Sequence, residues 1–224
     1  MKKYLIGSSL LLSSLITPTF AEESKSFYLS VGGGITFPSD SKTDTILGNT
    51  TYDVRFENDN SGLFSVGIGK KFSDYRIEFN HLRATVKSNS FSVTNAGTGV
   101  TASITPNLKA DYKSFMIYGY KDFPTETKFT PYAGVGLGLG SFSGENQVAT
   151  VNGTTYQLKG ADEAVFSFGL KGGASYEIVE NTSIYSELMY QNFAPYRADQ
   201  EGFETVKGDA TNIFAVTAGL KFNF

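Results

Sequence analysis

Apolar residues recur at every second position up to the last residue of this chain. Val216, Ala218, Leu220, Phe222 and Phe224 alternate with Thr217, Gly219, Lys221 and Asn223. A period of two is the mark of an extended strand with two unlike faces. A strand of this kind needs a neighbour on each edge, because an unpaired edge leaves a row of exposed backbone donors and acceptors.

The same alternation recurs along the chain, in segments of about ten residues. Segment one, Ser26 to Phe37, sets Phe27, Leu29, Val31 and Ile35 against Tyr28, Ser30, Gly32, Gly34 and Thr36. Segment two, Gly62 to Phe72, sets Phe64, Val66, Ile68 and Phe72 against Ser65, Gly67, Gly69 and Lys71. In segment three Tyr75, Ile77 and Phe79 oppose Arg76, Glu78 and Asn80, and the alternation slips at His81 and Leu82, which predicts a bulge or a membrane rim there. Segment four, Ala110 to Phe123, places Phe115, Ile117 and Gly119 opposite Met116 and Tyr118. Segment five, Lys128 to Ser141, opposes Ala133, Val135, Leu137 and Leu139 to four glycines. Segment six, Glu163 to Ile178, carries Phe166, Phe168 and Leu170 on one face and Ser167, Gly169, Lys171, Gly173 and Ser175 on the other. Segment seven, Ser183 to Phe193, opposes Ile184, Leu188 and Tyr190 to Tyr185, Glu187 and Gln191, and segment eight runs from Ala210 to Phe224.

Eight segments are an even number, and their connections alternate in length. Ser73-Asp74, Pro124 to Thr127 and Val179 to Thr182 are short; Pro38 to Ser61, Lys87 to Lys109, Phe142 to Asp162 and Ala194 to Asp209 are long and polar. Short turns on one side and long loops on the other are expected of an up-and-down barrel crossing an outer membrane. An even count returns both ends to the short-turn side, which is the periplasm in this reading. The eighth segment must then pair with the first, because open edges do not survive in lipid.

The amino end agrees with export. Lys2 and Lys3 precede the apolar stretch Tyr4 to Ile16, and Thr19-Phe20-Ala21 offers small residues where a signal peptidase cuts. Residues 1–21 are thus expected to be a secretory signal peptide and residues 22–224 a single barrel domain. Without Lys2 and Lys3 the chain has 17 basic against 22 acidic residues, a balance that argues against nucleic acid as a partner. There is no cysteine, which excludes a disulfide framework and thiolate metal sites.

A soluble barrel would wear the opposite pattern, apolar inside and polar outside. The glycines and charges sharing one face argue for a narrow interior filled by side chains. Aromatics near segment ends (Tyr75, Phe72, Phe123, Tyr132, Tyr176 and Phe193) suit interfacial girdles. The inner face then holds Arg76, Glu78, Lys171, Glu187 and Lys221. Buried charge must be paired. Arg76 is expected to meet Glu187 or Glu78, and Lys221 or Lys171 the remaining carboxylate, as a polar plug or as the lining of an ion path. Gly67, Gly69, Gly134, Gly136, Gly138, Gly169 and Gly173 would leave room for the long side chains.

Catalytic constellations are sparse. The single histidine, His81, has no nucleophile at a distinctive spacing; as a general base it would need a loop Ser or Asp such as Ser88, Ser90 or Asp162, and a rim position between headgroups and loop is the simpler account. Asp53, Glu57 and Asp59 are read as solvated loop charge with no defined coordination shell. No metal, cofactor or enzymatic activity is expected. Arg83, Lys87, Lys109 and Lys113 near the outer rim are placed to meet lipopolysaccharide phosphates, or simply to be solvated. The stretch Ser92 to Ser103 is polar enough to suit a solvent-exposed loop.

Several of these stretches carry a resemblance. Phe27 to Gly34, Tyr75 to Phe79, Lys121-Asp122-Phe123, Pro131 to Gly136 and Leu220 to Phe224 together resemble the OmpA/Opa-like eight-stranded outer-membrane barrels. More narrowly they resemble the major surface antigens of rickettsial-type bacteria. The resemblance implies a surface-exposed antigen or adhesin, with a host-cell receptor met through the loops, or alternatively a small porin. It also implies that Leu220, Phe222 and Phe224 form the signal read by the barrel assembly machinery, with outer-membrane lipids as surroundings. A lipid-modifying enzyme and a soluble ligand-binding barrel are the remaining readings.

Overall fold

Alternating segments of this length bury one face only by curling into a closed sheet, and that is what they do. The computed structural model describes residues 26–47, 50–104, 108–144, 147–151, 154–158, 162–198 and 205–224. In chain order the first strands are β1 (Phe27–Pro38), β2 (Ser41–Leu47), β3 (Thr50–Asn58), β4 (Ser61–Phe72), β5 (Tyr75–Asn95), β6 (Thr101–Ile104) and β7 (Leu108–Asp122). They continue with β8 (Phe129–Gly144), β9 (Gln147–Val151), β10 (Thr154–Leu158), β11 (Asp162–Val179), β12 (Thr182–Phe193), β13 (Tyr196–Ala198), β14 (Thr205–Gly208) and β15 (Thr211–Asn223).

Eight of these close the barrel. β1, β4, β5, β7, β8, β11, β12 and β15 are each antiparallel to the next, and β15 returns to β1 from Tyr28↔Asn223 to Pro38↔Ile213. Phe224 extends the seam: its amide donates to the Phe27 carbonyl at 2.8 Å and its carbonyl accepts from the Phe27 amide at 3.2 Å. The fold is therefore all-β and up-and-down, with no helix among the described residues.

The short turns are built as expected. Phe72 pairs with Tyr75 across Ser73-Asp74, and Val179 pairs with Thr182 across Glu180-Asn181. Ser73 and Asn181 take left-handed backbone conformations, with φ of 55° and 68°, which a two-residue hairpin needs and which Asn tolerates well. In the third turn the Thr125 hydroxyl donates to the Phe129 carbonyl at 2.6 Å.

The long connections differ from the polar loops predicted for them. They hold the other seven strands. β3 pairs with the upper part of β5, β2 with β3 and β14 with β2, so the barrel wall continues past the rim as a sheet ordered β13-β14-β2-β3-β5. The stretch Ser92 to Ser103 is a hairpin of β5 and β6, with Val93 opposite Ala102. Its turn is held by Asn95, whose side-chain oxygen accepts from the amides of Gly97 and Thr98 at 3.0 and 3.1 Å. Threonine, valine and tyrosine favour strands even where both faces are wet, and polarity alone concealed this. On β3 the half-buried Tyr52, Val54 and Phe56 alternate with exposed Asp53, Arg55 and Glu57.

The alternation of the wall decides which side is inside. Leu188 and Val135 are 65% and 64% exposed on the outer surface, while Tyr118 and Phe193 are fully enclosed. An apolar outside and a packed, partly charged inside are the reverse of a soluble barrel. Three assignments change. Tyr132 and Phe193 lie inside and do not belong to a girdle; Phe72, Tyr75, Phe123 and Tyr176 are exposed at the short-turn rim. Lys71 is exposed at the end of β4, where the inward parity has run out. No slip occurs at His81 and Leu82, since β5 stays in register with β7 from Tyr75↔Lys121 to Ser88↔Leu108. The apparent slip arises because Leu82, Ala84 and Val86 face inward with apolar side chains.

Candidate functional site: the barrel interior and its rims

The inner parity of the strands delivers two layers of side chains. The layer nearer the short turns is polar. Arg76, Lys171 and Lys221 are buried there with Glu78, Asp122 and Glu187, so three cations meet three carboxylates and the formal charge closes to zero. Neutrality matters in a space where solvent cannot screen.

The partners differ in part from those expected. Arg76 meets neither Glu187 nor Glu78 as its ion-pair partner. It donates from Nε to Asp122 Oδ1 at 2.9 Å, with both side chains buried. Lys171 Nζ lies 3.0 Å from Glu187 Oε1, one of the pairings left open above. Glu78 is held by hydrogen bonds, accepting from Ser30, Asn80 and Tyr120 at 3.2, 3.1 and 3.2 Å. Lys221 has no ion pair among the described residues. Its ammonium sits 5.2 Å from the Tyr132 ring centre and 5.3 Å from that of Tyr28, with Tyr185 at 6.0 Å. Aromatic faces attract a desolvated cation through the ring quadrupole.

Tyrosine thus does much of the work assigned to charge. Arg76 stacks 4.2 Å from the Tyr120 ring centre and 4.6 Å from that of Tyr132, and the Tyr132 hydroxyl donates to Glu187 Oε2 at 3.2 Å. Glycine makes the space. A Cβ added at Gly136 would meet the Tyr118 ring at 2.5 Å, and one at Gly134 would strike Tyr120. Asp122 and Tyr120 are the members that sequence reasoning missed. Both lie on the inward parity of Met116 and Tyr118, so extending the alternation to the end of β7 would have found them.

The second layer, nearer the long hairpins, is apolar. Leu63, Leu82, Val86, Met189, Phe193 and Ile213 pack there, with Tyr112 meeting Phe193 edge to face at 5.8 Å. Within it Gln191 donates to Ser167 at 2.9 Å. The cavity that remains beside Arg76, Glu78 and Lys221 measures about 10 Å³, room for a single water molecule.

The other expected sites lie on the outer surface. His81 faces outward, stacked on Phe115 at 4.4 Å, with Nδ1 3.0 Å from the Ser114 carbonyl oxygen. Asp53 and Glu57 are exposed on β3, and the Asp59 amide donates to the Lys87 carbonyl at 2.8 Å. The side chains of Ser88, Ser90, Lys109 and Asp162 and all of residues 1–25 fall outside the described parts. Leu220, Phe222 and Phe224 face outward beside β1, and Phe224 stacks on Phe27 with ring centres 6.4 Å apart.

A closed antiparallel barrel with an apolar outer belt and a side-chain-filled interior is a transmembrane β-barrel. Residues 7–222 match the family described as outer membrane protein beta-barrel domain, and the chain belongs to that family, which resides in the bacterial outer membrane. The outer membrane protein PagN of Salmonella typhimurium is 32% identical over 79 residues, covering 35% of this chain. That match spans about a third of PagN (33%). Among solved structures the fold is similar to the outer membrane protease OmpT of Escherichia coli, with a TM-score of 0.54, 13% identity and coverage of 95% of this chain and 99% of OmpT. Neisserial surface protein A is similar at a TM-score of 0.52 and 16% identity, over 90% of this chain and all (100%) of that one. At such identities the likeness is one of fold.

Proposed function

We propose that this chain is a non-catalytic surface protein of the outer membrane, an antigen or adhesin, in which a sealed barrel displays recognition hairpins. The observation that carries this reading is the interior: two stacked side-chain layers fill it, and the cavity beside Arg76, Glu78 and Lys221 measures about 10 Å³, too little for a solute path. The wall holds the hairpins rigidly because β3 and β2 continue the ladder of β5. His81 stacks against Phe115 on the outer wall, away from any cavity, which favours a role at the membrane rim over one as a catalytic base.

In this reading residues 1–21 are removed on export, the short turns and both mature termini face the periplasm, and the assembly machinery recognises Leu220, Phe222 and Phe224. The hairpins meet a host-cell receptor. The narrower likeness to rickettsial-type surface antigens rests on the glycine–aromatic strand motifs and points the same way.

The test is host-cell binding by bacteria displaying the protein, compared with a variant in which residues 40–59 are replaced by a short turn. The reading expects binding to fall while the barrel still migrates as a compact species on an unboiled gel. Equal binding by the shortened barrel would defeat the hairpins as recognition elements.

A further inference from the structure

Arg83 and Lys113 stand directly opposite each other on the outer wall, in the row Phe64, Arg83, Lys113 and Ser141 that crosses four adjacent strands. The next outward row towards the short turns is apolar or aromatic: Val66, His81, Phe115 and Leu139. The two cations therefore occupy the first charged row beyond the apolar belt on these strands. Arg83 Nη2 pairs with Asp111 Oδ2 at 2.6 Å, and Thr85 donates to the other carboxylate oxygen at 2.8 Å. Lys113 has no ion pair among the described residues, and Lys87 is exposed two positions beyond Thr85. Arg83 and Lys113 thus share one carboxylate, Asp111.

Like charges directly opposite one another weaken a sheet, so the fold alone does not favour this arrangement. An anion above Arg83 and Lys113 would reverse the sign of that contribution. Ser141 on β8, Asn192 on β12 and Asn212 on β15, the polar outward residues that follow the apolar belt on those strands, are neutral.

We propose that this face binds a phosphate of an anionic lipid in the outer leaflet. Arg83 and Lys113 contact the phosphate oxygens, and Phe115, Phe79 and Ile117 lie along the acyl chain. The guanidinium keeps donors beyond the one engaged by Asp111, and a lysine serves as a second point charge. The outer-leaflet assignment rests on the proposed function, in which the hairpin rim faces outward; the affinity itself does not.

The protein is extracted in dodecyl maltoside and titrated with diphosphorylated lipid A, with bound lipid counted by native mass spectrometry. Arg83→Gln/Lys113→Gln should weaken retention about tenfold, as expected for loss of charge-assisted contacts. Lys113→Gln alone, which disturbs no ion pair, should lose part of this. Lys70→Gln/Lys121→Gln at the opposite rim should bind like the parent protein. Equal lipid A retention by the Arg83/Lys113 variant overturns the proposal. So does inorganic phosphate competing as strongly as lipid A, which would make the ligand a soluble anion. Labelling of Thr98→Cys by an impermeant maleimide on intact cells reports separately on orientation, and its failure would move the site to the other leaflet without removing it.

Discussion

Arg76 Nε lies 2.9 Å from Asp122 Oδ1, and the two side chains bridge neighbouring strands inside the barrel with almost no solvent contact. Removing one partner leaves an uncompensated buried charge. Asp122→Ala should lower stability by about 3–5 kcal/mol. Arg76→Met/Asp122→Leu should recover most of that, because apolar replacement of a whole buried pair is often neutral. Urea unfolding in detergent micelles, followed by the shift between folded and unfolded gel mobility, measures both.

Lys171 and Lys221 are both buried lysines, yet their surroundings differ. Lys171 has Glu187 at 3.0 Å, and Lys221 has tyrosine rings. Lys171→Met breaks a direct ion pair and strands its carboxylate, whereas Lys221→Met breaks no direct pair and loses cation–ring attraction and part of the charge balance. The first substitution should be more destabilising than the second by about 2 kcal/mol. Equal effects in the same unfolding assay would contradict the partner assignments.

The eight wall strands and their faces were legible because half-buried strands cannot hide a period of two. The partners were less legible. Alternation places a residue on the inner face but does not set its height relative to another strand, so Arg76 could be offered Glu187 or Glu78 while Asp122 went unnoticed. Tyr132 and Phe193 were misplaced for a related reason: an aromatic near a strand end suits either a lipid girdle or a packed interior. The apolar inner layer at Leu82, Ala84 and Val86 imitated a slip because the inner face of β5 turns apolar after Asn80, just as the outer face turns polar at His81 and Arg83. Hairpins beyond the rim escaped notice since their exposed face is as polar as a loop.

Glycines of the two faces should respond oppositely. Gly136→Val would drive a methyl-bearing Cβ into the Tyr118 ring, for which the pocket has no space. A cost of about 1–3 kcal/mol is expected from overpacking. Gly119 has nothing within 4 Å of its missing Cβ and faces outward. Gly119→Val should fold as well as the parent. Refolding yield into lipid vesicles separates the two.

The seam residue Phe224 tests assembly apart from stability. Its backbone closes the ladder with Phe27, but only through the last pair of hydrogen bonds. Deleting it should reduce outer-membrane insertion in cells several-fold while leaving refolding in detergent nearly intact. Parallel losses in both assays would make Phe224 a structural residue and not an assembly signal.

Single-channel recording across planar bilayers, with refolded residues 22–224, tests the sealed interior most directly. The account predicts no steady conducting level, because the Arg76–Asp122 and Lys171–Glu187 pairs and the apolar layer around Phe193 together fill the lumen. A stable, sizeable open level from protein verified as a folded monomer would contradict it and favour a porin.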